Sequence, residues 1–427
     1  MSTVRESTLI NSQMLRYLKE RNLRLGVLHA GGPAPGGNKV IYAAAQRARD
    51  HGIEMIGFQN GYQYLLKGEA AARAHLQEIG REQLRYLRDQ NALVIGTSRA
   101  NPGKSIVTLD DLSDPTKSAP LQKVLDVFEA LRIGALVSVG GDDTMRSAYL
   151  LQLYLNNLVA KGVSPQFQGV VHVPKTIDKD YRGIDFTFGF MTAAAKIAGD
   201  IKNLHDDAKA TGIEDKPVYH VVEVMGRDTG WVSAAAGIGG EASLTLVPET
   251  YRGRTNLTVD ELAEECVSLV LHRIGIGKPY GVIILGEGIG ELINVEVGTE
   301  EHGHAKLDEV DLAQRVTTAL GAKLKEKGIP DSKIHHHKRG YDARQIDPSF
   351  FDTLLGFALG CGAANAILRG EFGKMVSIEG VFTPKLIPFE ALFDPSTLRA
   401  EKWYMIPDEG LYQLMRAMEH PIGVGLG

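Results

Sequence analysis

A two-domain α/β protein with mainly parallel sheets is the fold class this sequence predicts, and three observations carry the prediction. Apolar, β-branched runs recur along the chain, each leading within a few residues into glycines and polar residues and then into an apolar spacing of helical period. Strands that alternate with helices in this way are joined by crossovers, and crossovers give parallel order. The chain has 427 residues, 44% of them hydrophobic, enough for more than one core, and the same strand, glycine, helix pattern starts afresh in its second half.

The first such unit is Leu23–Ala30, an apolar strand that runs into Gly31-Gly-Pro-Ala-Pro-Gly-Gly-Asn38 before a helical pattern beginning near Val40. Four glycines and two prolines in eight residues make a tight loop with little side-chain bulk. Such a loop suits close approach of a polyanion, and a plain strand-to-helix turn has the same composition. Ile53–Phe58 reads as the next strand, followed by a loop around Asn60-Gly61-Tyr62. Leu93–Arg99 reads as a short strand that brings Arg99 to its carboxyl end, where ligands of open α/β sheets collect and where an arginine can hold a phosphate. Asp110–Ala119, polar and carrying a proline, reads as an exposed loop, and Leu121–Arg132 as a helix.

Ala135–Val139 is a buried strand that breaks at Gly140-Gly141 into Asp142-Asp143-Thr144. Met145, Ala148, Leu151 and Leu155 then have helical spacing, with Thr144 in position to cap the first turn. The two glycines let a phosphate chain approach the backbone, and the helix start offers N–H groups to its oxygens. A carboxylate beside a polyphosphate is repulsive unless a divalent cation lies between them or unless it keeps something out. A helix cap with a second acidic residue favoured by the helix dipole is the alternative reading of the same turn. Gly169–Val173 is the next strand, and it ends in Pro174-Lys-Thr-Ile-Asp-Lys-Asp180, the densest charged cluster of the chain. Its strand origin sends Lys175, Asp178 and Asp180 toward the same cleft as Asp142, which supplies acid groups for a metal and a base together with a lysine for phosphate. Asp185–Phe190 and the Ala-rich helix after it read as core.

A domain change is expected near Phe190. Beyond it Val218–Val224 reads as a strand leading into Met225-Gly-Arg-Asp-Thr-Gly230 and an Ala-rich helix through Gly237. Leu244–Val247 before Pro248-Glu249, and Tyr280–Leu285 before Gly286-Glu-Gly288, are further strands with an acidic residue at the carboxyl end, joined by a helix over Leu257–Arg273. His335-His-His-Lys-Arg-Gly-Tyr-Asp-Ala-Arg344 is the most basic segment. Consecutive histidines on a strand face opposite ways and no acidic residue flanks them at ligand spacing, so the segment reads as anion-attracting rather than as a metal site. The helix Phe350–Leu368 carries Gly356, Gly360, Ala363 and Ala364, which suits close packing, and Met375–Gly380 is strand-like before a tail with Arg399 and Tyr404.

A net charge of −5 gives no basic face for nucleic acid or an anionic membrane, so no nucleic acid and no membrane are expected as partners. Cys266 and Cys361 lie far apart without metal-ligand spacing and read as buried thiols of a reducing, cytoplasmic compartment. Met1–Glu20 is charged and reads as neither a signal peptide nor an anchor, and no run approaches the length that spans a bilayer.

Six of these segments, in order, resemble the motifs of the phosphofructokinase family: Gly31–Asn38, Gly140–Thr144, Pro174–Asp180, Met225–Arg227, Gly286–Gly288 and Gly340–Arg344. The likeness runs from about Leu23 to Gly373, and ordered motifs are more specific than any one of them. The resemblance implies the phosphofructokinase fold, two similar Rossmann-like three-layer domains with the active site between them. Residues 1–189, completed by about 343–393, would form the phosphoryl-donor domain; 190–342, completed by about 394–427, would form the sugar-phosphate domain. The implied reaction moves a phosphoryl group to O1 of fructose 6-phosphate with Mg²⁺. Asp178 falls on the family's catalytic base, Asp142 and Asp180 on its magnesium-side carboxylates, and Arg227 on the arginine that touches the substrate and the transferred group, with Lys175 as a further catalytic cation. Met225, Gly226, Glu287, Tyr341 and Arg344, with Thr176, Asp178 and Asp180, fall on sugar-phosphate positions, and Gly31, Gly32, Arg99, Gly141, Asp143 and Lys175 on the donor side. Family members complete their sugar-phosphate sites across subunits, which implies a homo-oligomer, a dimer or tetramer.

Asp143 stands where ATP-using members usually have glycine, and aspartate there with lysine at position 175 is the pattern of the pyrophosphate-dependent members. Lysine also occurs in ATP-using branches, so Asp143 carries most of the expectation that pyrophosphate is the donor, with ATP the alternative. Two departures keep other readings open. Lys179 replaces the family's asparagine and puts a flexible cation between two carboxylates, and His335 stands near the position of a sugar-phosphate arginine. His335 leaves sedoheptulose 7-phosphate in play as acceptor, and the residue order also permits a chain that binds sugar phosphate without turning it over.

Overall fold

The computed structural model of the protein describes residues 10, 12–254, 256–293 and 307–419; the leading stretch Met1–Glu20 lies outside them through Leu9 and at Asn11. The chain forms two compact units. One comprises the residues up to Thr176 with Tyr181–Gly189 and Arg344–Lys402; the other comprises Ile177–Asp180, Phe190–Ala343 and the chain from Trp403 onward. Both are α/β units with mostly parallel sheets.

In the first unit the strands are β1 (Arg24–Ala30), β2 (Met55–Phe58), β3 (Leu76–Glu78), β4 (Ile133–Gly140) and β5 (Val170–Pro174), joined after the second unit by β10 (Lys374–Glu379) and β11 (Thr383–Pro388). They lie in the order β11-β10-β5-β4-β1-β2-β3. The five inner strands are parallel, with Val27 beside Val137 and Val137 beside Val171, and the two edge strands run antiparallel to their neighbours. Inner strands covered by helices on both faces are mainly apolar, and β4 is buried at every position, Ser138 included. The helix Phe350–Arg369 packs on the helix Gly37–Asp50 so closely that a Cβ on Gly360 would stand 2.2 Å from the Val40 carbonyl oxygen. By length and composition this helix is apolar enough to cross a bilayer, which corrects the reading that no run approaches that length. Most of it is buried inside the unit, and packing between two layers accounts for its composition.

Three local readings are corrected here. Leu93–Arg99 is not a strand: the Gly96 N–H turns back to the Leu93 carbonyl at 3.1 Å, the Val94 N–H donates to Asn38 Oδ1 at 3.1 Å, and the place beside β2 is filled by β3. Asp110–Ala119 is not an exposed loop, because a short 3-10 turn over Leu109–Ser113 leads into the helix Pro115–Ala130. Asp114 caps that helix by accepting from the Thr116 N–H at 2.8 Å, and Pro115 occupies a first-turn position where its missing N–H costs nothing. Thr144 is not the cap of the helix Asp142–Ala160 but lies inside it, Gly141 being the cap residue.

The second unit has β6 (Val218–Val224), β7 (Leu244–Leu246), β8 (Tyr280–Gly286) and β9 (Lys333–Arg339) in the order β7-β8-β6-β9, all parallel. Its core is layered. One cluster joins the sheet to the helices Val259–Gly275 and Leu312–Glu326 through Leu262, Leu269, Val316 and Leu320; the other joins it to the helices Phe190–Thr211 and Trp231–Gly239 through Ile197, Ile201 and Val232. The helix Val259–Gly275 opens on a reciprocal capping box, with Thr258 Oγ1 accepting from the Glu261 N–H at 3.2 Å and Glu261 Oε2 accepting from the Thr258 N–H at 2.9 Å. Edge strand β9 exposes Lys333, His335, His336 and Lys338, a charged rim that discourages pairing with other strands.

Candidate active site

The first unit brings two glycine turns, a lysine and an arginine together. After β1 the chain turns at Gly31, whose φ of +82° is the left-handed region that glycine adopts readily. The turn is held from the Leu93–Arg99 segment: the Gly31 N–H donates to the Ser98 carbonyl at 2.9 Å and Thr97 Oγ1 donates to the Gly31 carbonyl at 2.5 Å. Asn38 fastens that segment and the residues just before it, its Oδ1 accepting from the Val94 N–H at 3.1 Å and its side-chain NH2 donating to the Gln90 and Ala92 carbonyls at 3.0 and 2.9 Å. At the end of β4 the Gly140 carbonyl accepts from the Lys175 N–H at 2.9 Å, from the Tyr181 hydroxyl at 3.0 Å and from His172 Nε2 at 3.2 Å.

Lys175 is buried, and its ammonium lies where the two turns face each other, 3.5 Å from the position a Cβ on Gly31 would take and 4.0 Å from that of one on Gly141. A Cβ on Gly32 would stand 2.6 Å from Arg344 Nη1. Gly31, Gly32, Gly141, Lys175 and Arg344 therefore converge, whereas the resemblance sends Arg344 to the sugar phosphate. Burial pushes His29 well below its ordinary pKa, and the charge of Lys175 adds to the effect. His172 is pushed down to about 3 by burial, against the stabilising carbonyl of Gly140 and with help from Lys175. Both imidazoles are held toward the neutral form, so Lys175 and Arg344 are the cations at this place.

Asp142 and Asp143 begin the helix Asp142–Ala160, where the dipole favours negative charge. Lys402 Nζ lies 2.6 Å from Asp142 Oδ2. Asp143 is exposed, and Arg99 is exposed at the end of its segment.

In the second unit Asp178 lies on a bend whose carbonyl accepts from Thr229 Oγ1 at 3.2 Å, and the Asp180 carbonyl accepts from the Trp403 N–H at 2.9 Å. Thr176 belongs to the first unit. Lys179, which the resemblance marks as a departure, has its ammonium over the Trp231 and Trp403 rings. Met225, Gly226 and Arg227 form the turn after β6. Glu287 holds that turn, its Oε2 accepting from the Gly226 and Arg227 N–H groups at 3.2 and 3.1 Å. Gly288 must be glycine there, since a Cβ would stand 1.9 Å from the Arg227 carbonyl oxygen. Tyr341 is exposed beside Asp342, which pairs with Lys196 at 3.1 Å. His335 and His337 flank His220, with His337 Nε2 at 2.9 Å from His220 Nδ1, while His336 faces away and is exposed.

Lys402, Trp231, Trp403 and Glu249 were not singled out as site residues in the sequence. Glu249 is buried, accepts from the Gly230 N–H with both oxygens at 3.0 Å, and has its pKa raised by that burial. Its only signal was an acidic residue after a strand; Lys402 and Trp403 carried none.

A family model described as phosphofructokinase matches residues 24–367. The chain belongs to the phosphofructokinase family. This phosphofructokinase-family chain is 32% identical over 397 residues to a pyrophosphate–fructose 6-phosphate 1-phosphotransferase of Thermotoga maritima, covering 88% of the chain and 86% of the relative. It is 29% identical over 359 residues to an ATP-dependent 6-phosphofructokinase 3 of Bacteroides thetaiotaomicron, covering 84% and 89%. Relatives carrying the two donor names thus stand at nearly equal identity. The solved structure of a pyrophosphate-dependent phosphofructokinase from Nitrosospira multiformis has the same fold, with a TM-score of 0.66 at 20% identity over 93% of this chain and 91% of that one.

Proposed function

We propose that this phosphofructokinase-family protein transfers a phosphoryl group from pyrophosphate to O1 of fructose 6-phosphate, giving fructose 1,6-bisphosphate and phosphate, reversibly, as a cytoplasmic step of glycolysis and gluconeogenesis. The observation that carries the choice of donor is Asp143. It is an exposed carboxylate in the first turn after Gly140-Gly141, next to the cradle of Gly31, Gly32, Gly141 and the buried Lys175. A nucleotide extends past its two outer phosphates, and a carboxylate beside that path adds bulk and like-charge repulsion. Pyrophosphate ends before it. Lys175 replaces lost nucleotide contacts with a point charge on the phosphate oxygens.

In this reading Asp178 accepts the proton of the O1 hydroxyl as O1 bonds to phosphorus, the bridging P–O bond of pyrophosphate breaks, and phosphate leaves. Lys175 and Arg227 meet the negative charge of the transferred group. Met225, Gly226, Glu287, Tyr341 and Asp180, with Thr176, serve the sugar-phosphate side, Glu287 by shaping the Gly226-Arg227 turn. Mg²⁺ binds one or two carboxylates and takes its remaining oxygens from phosphate and water. Asp142 suits it, because the ammonium of Lys402 already marks its carboxylate as a place for positive charge, and Asp180 is the second carboxylate offered. When bound, the ion neutralises phosphate oxygens. A homo-oligomer, dimer or tetramer, belongs to the same reading, and a fully active monomer in sedimentation at assay concentration would count against it.

The test is an initial-rate comparison of magnesium pyrophosphate with magnesium ATP on fructose 6-phosphate, run also in reverse from phosphate and fructose 1,6-bisphosphate, for the wild type and Asp143→Gly. The expected outcome is a preference for pyrophosphate, a measurable reverse rate and a gain of ATP use in the variant. The relatives named ATP-dependent favour the second reading, in which ATP is the donor. A clear preference for ATP that Asp143→Gly does not alter establishes it and sinks the gate.

A further inference from the structure

Lys179 sits in the left-handed region at φ +57°, a conformation uncommon for a residue with a long side chain and easier for asparagine or aspartate. Its side chain is almost wholly buried, although lysine ordinarily keeps its ammonium in water. The surrounding residues account for the buried ammonium. The ammonium stands 3.6 Å from the centroid of the Trp231 ring and 3.9 Å from that of Trp403, well inside the range in which indole faces attract a cation. The two indoles are themselves tied together, Trp231 Nε1 donating to the Trp403 carbonyl at 2.8 Å. On either side of Lys179 the backbone is fastened to the same structure: the Trp403 N–H donates to the Asp180 carbonyl at 2.9 Å, and Thr229 Oγ1 to the Asp178 carbonyl at 3.2 Å.

We infer that Lys179 is a positioning residue, its ammonium clamped between Trp231 and Trp403 so that the Asp178–Asp180 turn holds the Asp178 carboxylate in its working orientation. The inference rests on the reading of Asp178 as the base. It also revises the picture of Lys179 as a flexible cation: the cation is held by two indoles on other segments of the same unit. A turn held this way resists rotation about the backbone of Asp178, and small misplacement of a reacting group is costly in rate while leaving binding of the rest of the substrate largely intact.

The chain contains only two tryptophans, and both belong to this clamp, so intrinsic fluorescence reports on it directly. The experiment measures kcat and KM for fructose 6-phosphate, with whichever donor the wild type turns over, together with tryptophan emission and its quenching by acrylamide, in Lys179→Met, Lys179→Arg, Trp403→Phe and Trp403→Leu. Expected for Lys179→Met are a kcat lower by about tenfold or more, a KM within about threefold, and a changed emission. Lys179→Arg and Trp403→Phe, which keep a cation over an aromatic face, should recover most of the rate. Trp403→Leu should not, and the double variant Lys179→Met/Trp403→Leu should be no slower than the worse single variant, because both remove one coupled unit. Wild-type kcat in Lys179→Met overturns the inference, as does a loss that Lys179→Arg fails to recover and that adds to the Trp403→Leu loss. An inactive Asp178→Asn beside a fully active Lys179→Met removes the clamp alone; a near-normal Asp178→Asn removes the base and this inference with it, in a variant that leaves both indoles in place.

Discussion

Gly32→Ala tests the convergence of Gly31, Gly32, Gly141, Lys175 and Arg344 more sharply than removal of any charge. Gly32 does not lie in the left-handed region, so alanine meets no backbone obstacle there. What the new methyl meets is the guanidinium of Arg344, at 2.6 Å from Nη1 and 3.6 Å from Cζ. Ordinary van der Waals contact begins at 3.4 Å, so the guanidinium must retreat by roughly 0.8 Å. The obstructing atoms are the end of a flexible side chain, and the expected loss of folding stability is below about 1 kcal/mol. If the guanidinium serves donor phosphate oxygens, moving it by that distance would cost hydrogen-bond geometry, and one charge-assisted bond contributes about 1.5–3 kcal/mol, or about 10- to 150-fold in kcat/KM.

The comparison variant is Gly31→Ala. Its methyl would stand 3.5 Å from Lys175 Nζ, an ordinary contact, while its φ of +82° adds roughly 1–2 kcal/mol of backbone strain. Gly31→Ala should therefore lower the unfolding midpoint more than Gly32→Ala does, and Gly32→Ala should lower kcat/KM for the donor with little thermal effect. Initial rates with donor and fructose 6-phosphate varied separately, beside thermal unfolding, read both. Unchanged donor kcat/KM in Gly32→Ala refutes the reasoning. So does a loss confined to fructose 6-phosphate, which would return Arg344 to the sugar-phosphate role that the family resemblance implies.

Asp178→Asn should lower turnover by a factor of about 10² or more with fructose 6-phosphate binding largely retained, checked by steady-state rates and by isothermal titration; near-normal turnover would remove Asp178 from the mechanism. Acid should weaken the fold through His172. The unfolded chain takes up its proton near pH 6.5 whereas the folded chain does so only at about 3, so the unfolded state binds more protons in that window and stability falls as pH drops, by up to about 1.4 kcal/mol per pH unit. His172→Gln should flatten denaturant midpoints between pH 6 and pH 4, relative to the wild type, and an unchanged slope would show that His172 does not govern it.

The architecture was legible where burial is two-sided. Strands β1, β4, β5, β6 and β8 are buried along nearly their whole length, so each reads as a mainly apolar run, interrupted only by residues such as His29, Ser138, His172, His220 and Glu223. Edge strands lack that pressure. Leu76–Glu78 is only three residues long, and Thr383–Pro388 carries Pro384 and Pro388, residues tolerated there because an edge leaves N–H groups unpaired by the sheet. The Leu93–Arg99 error has a related cause: Ile95 is buried as a strand residue would be, but its neighbours bond to Asn38 and to the Gly31 turn, and one buried apolar side chain does not distinguish the two.

The charged residues of the proposed site could be picked out in the sequence because they follow strands; what holds them was hidden because it arrives from distant parts of the chain. Lys402 reaches Asp142 across 260 positions, and Trp403 reaches Lys179 and Asp180 from just beyond it. Neither partner obeys a local spacing rule. The same distance carries a physical consequence: Lys402 closes the first unit and Trp403 opens the last segment of the second, so two adjacent residues hold one carboxylate turn in each unit. Loss of either side chain should therefore be felt at one turn only, Lys402 at Asp142 and Trp403 at Asp178–Asp180, even though a single peptide bond joins them.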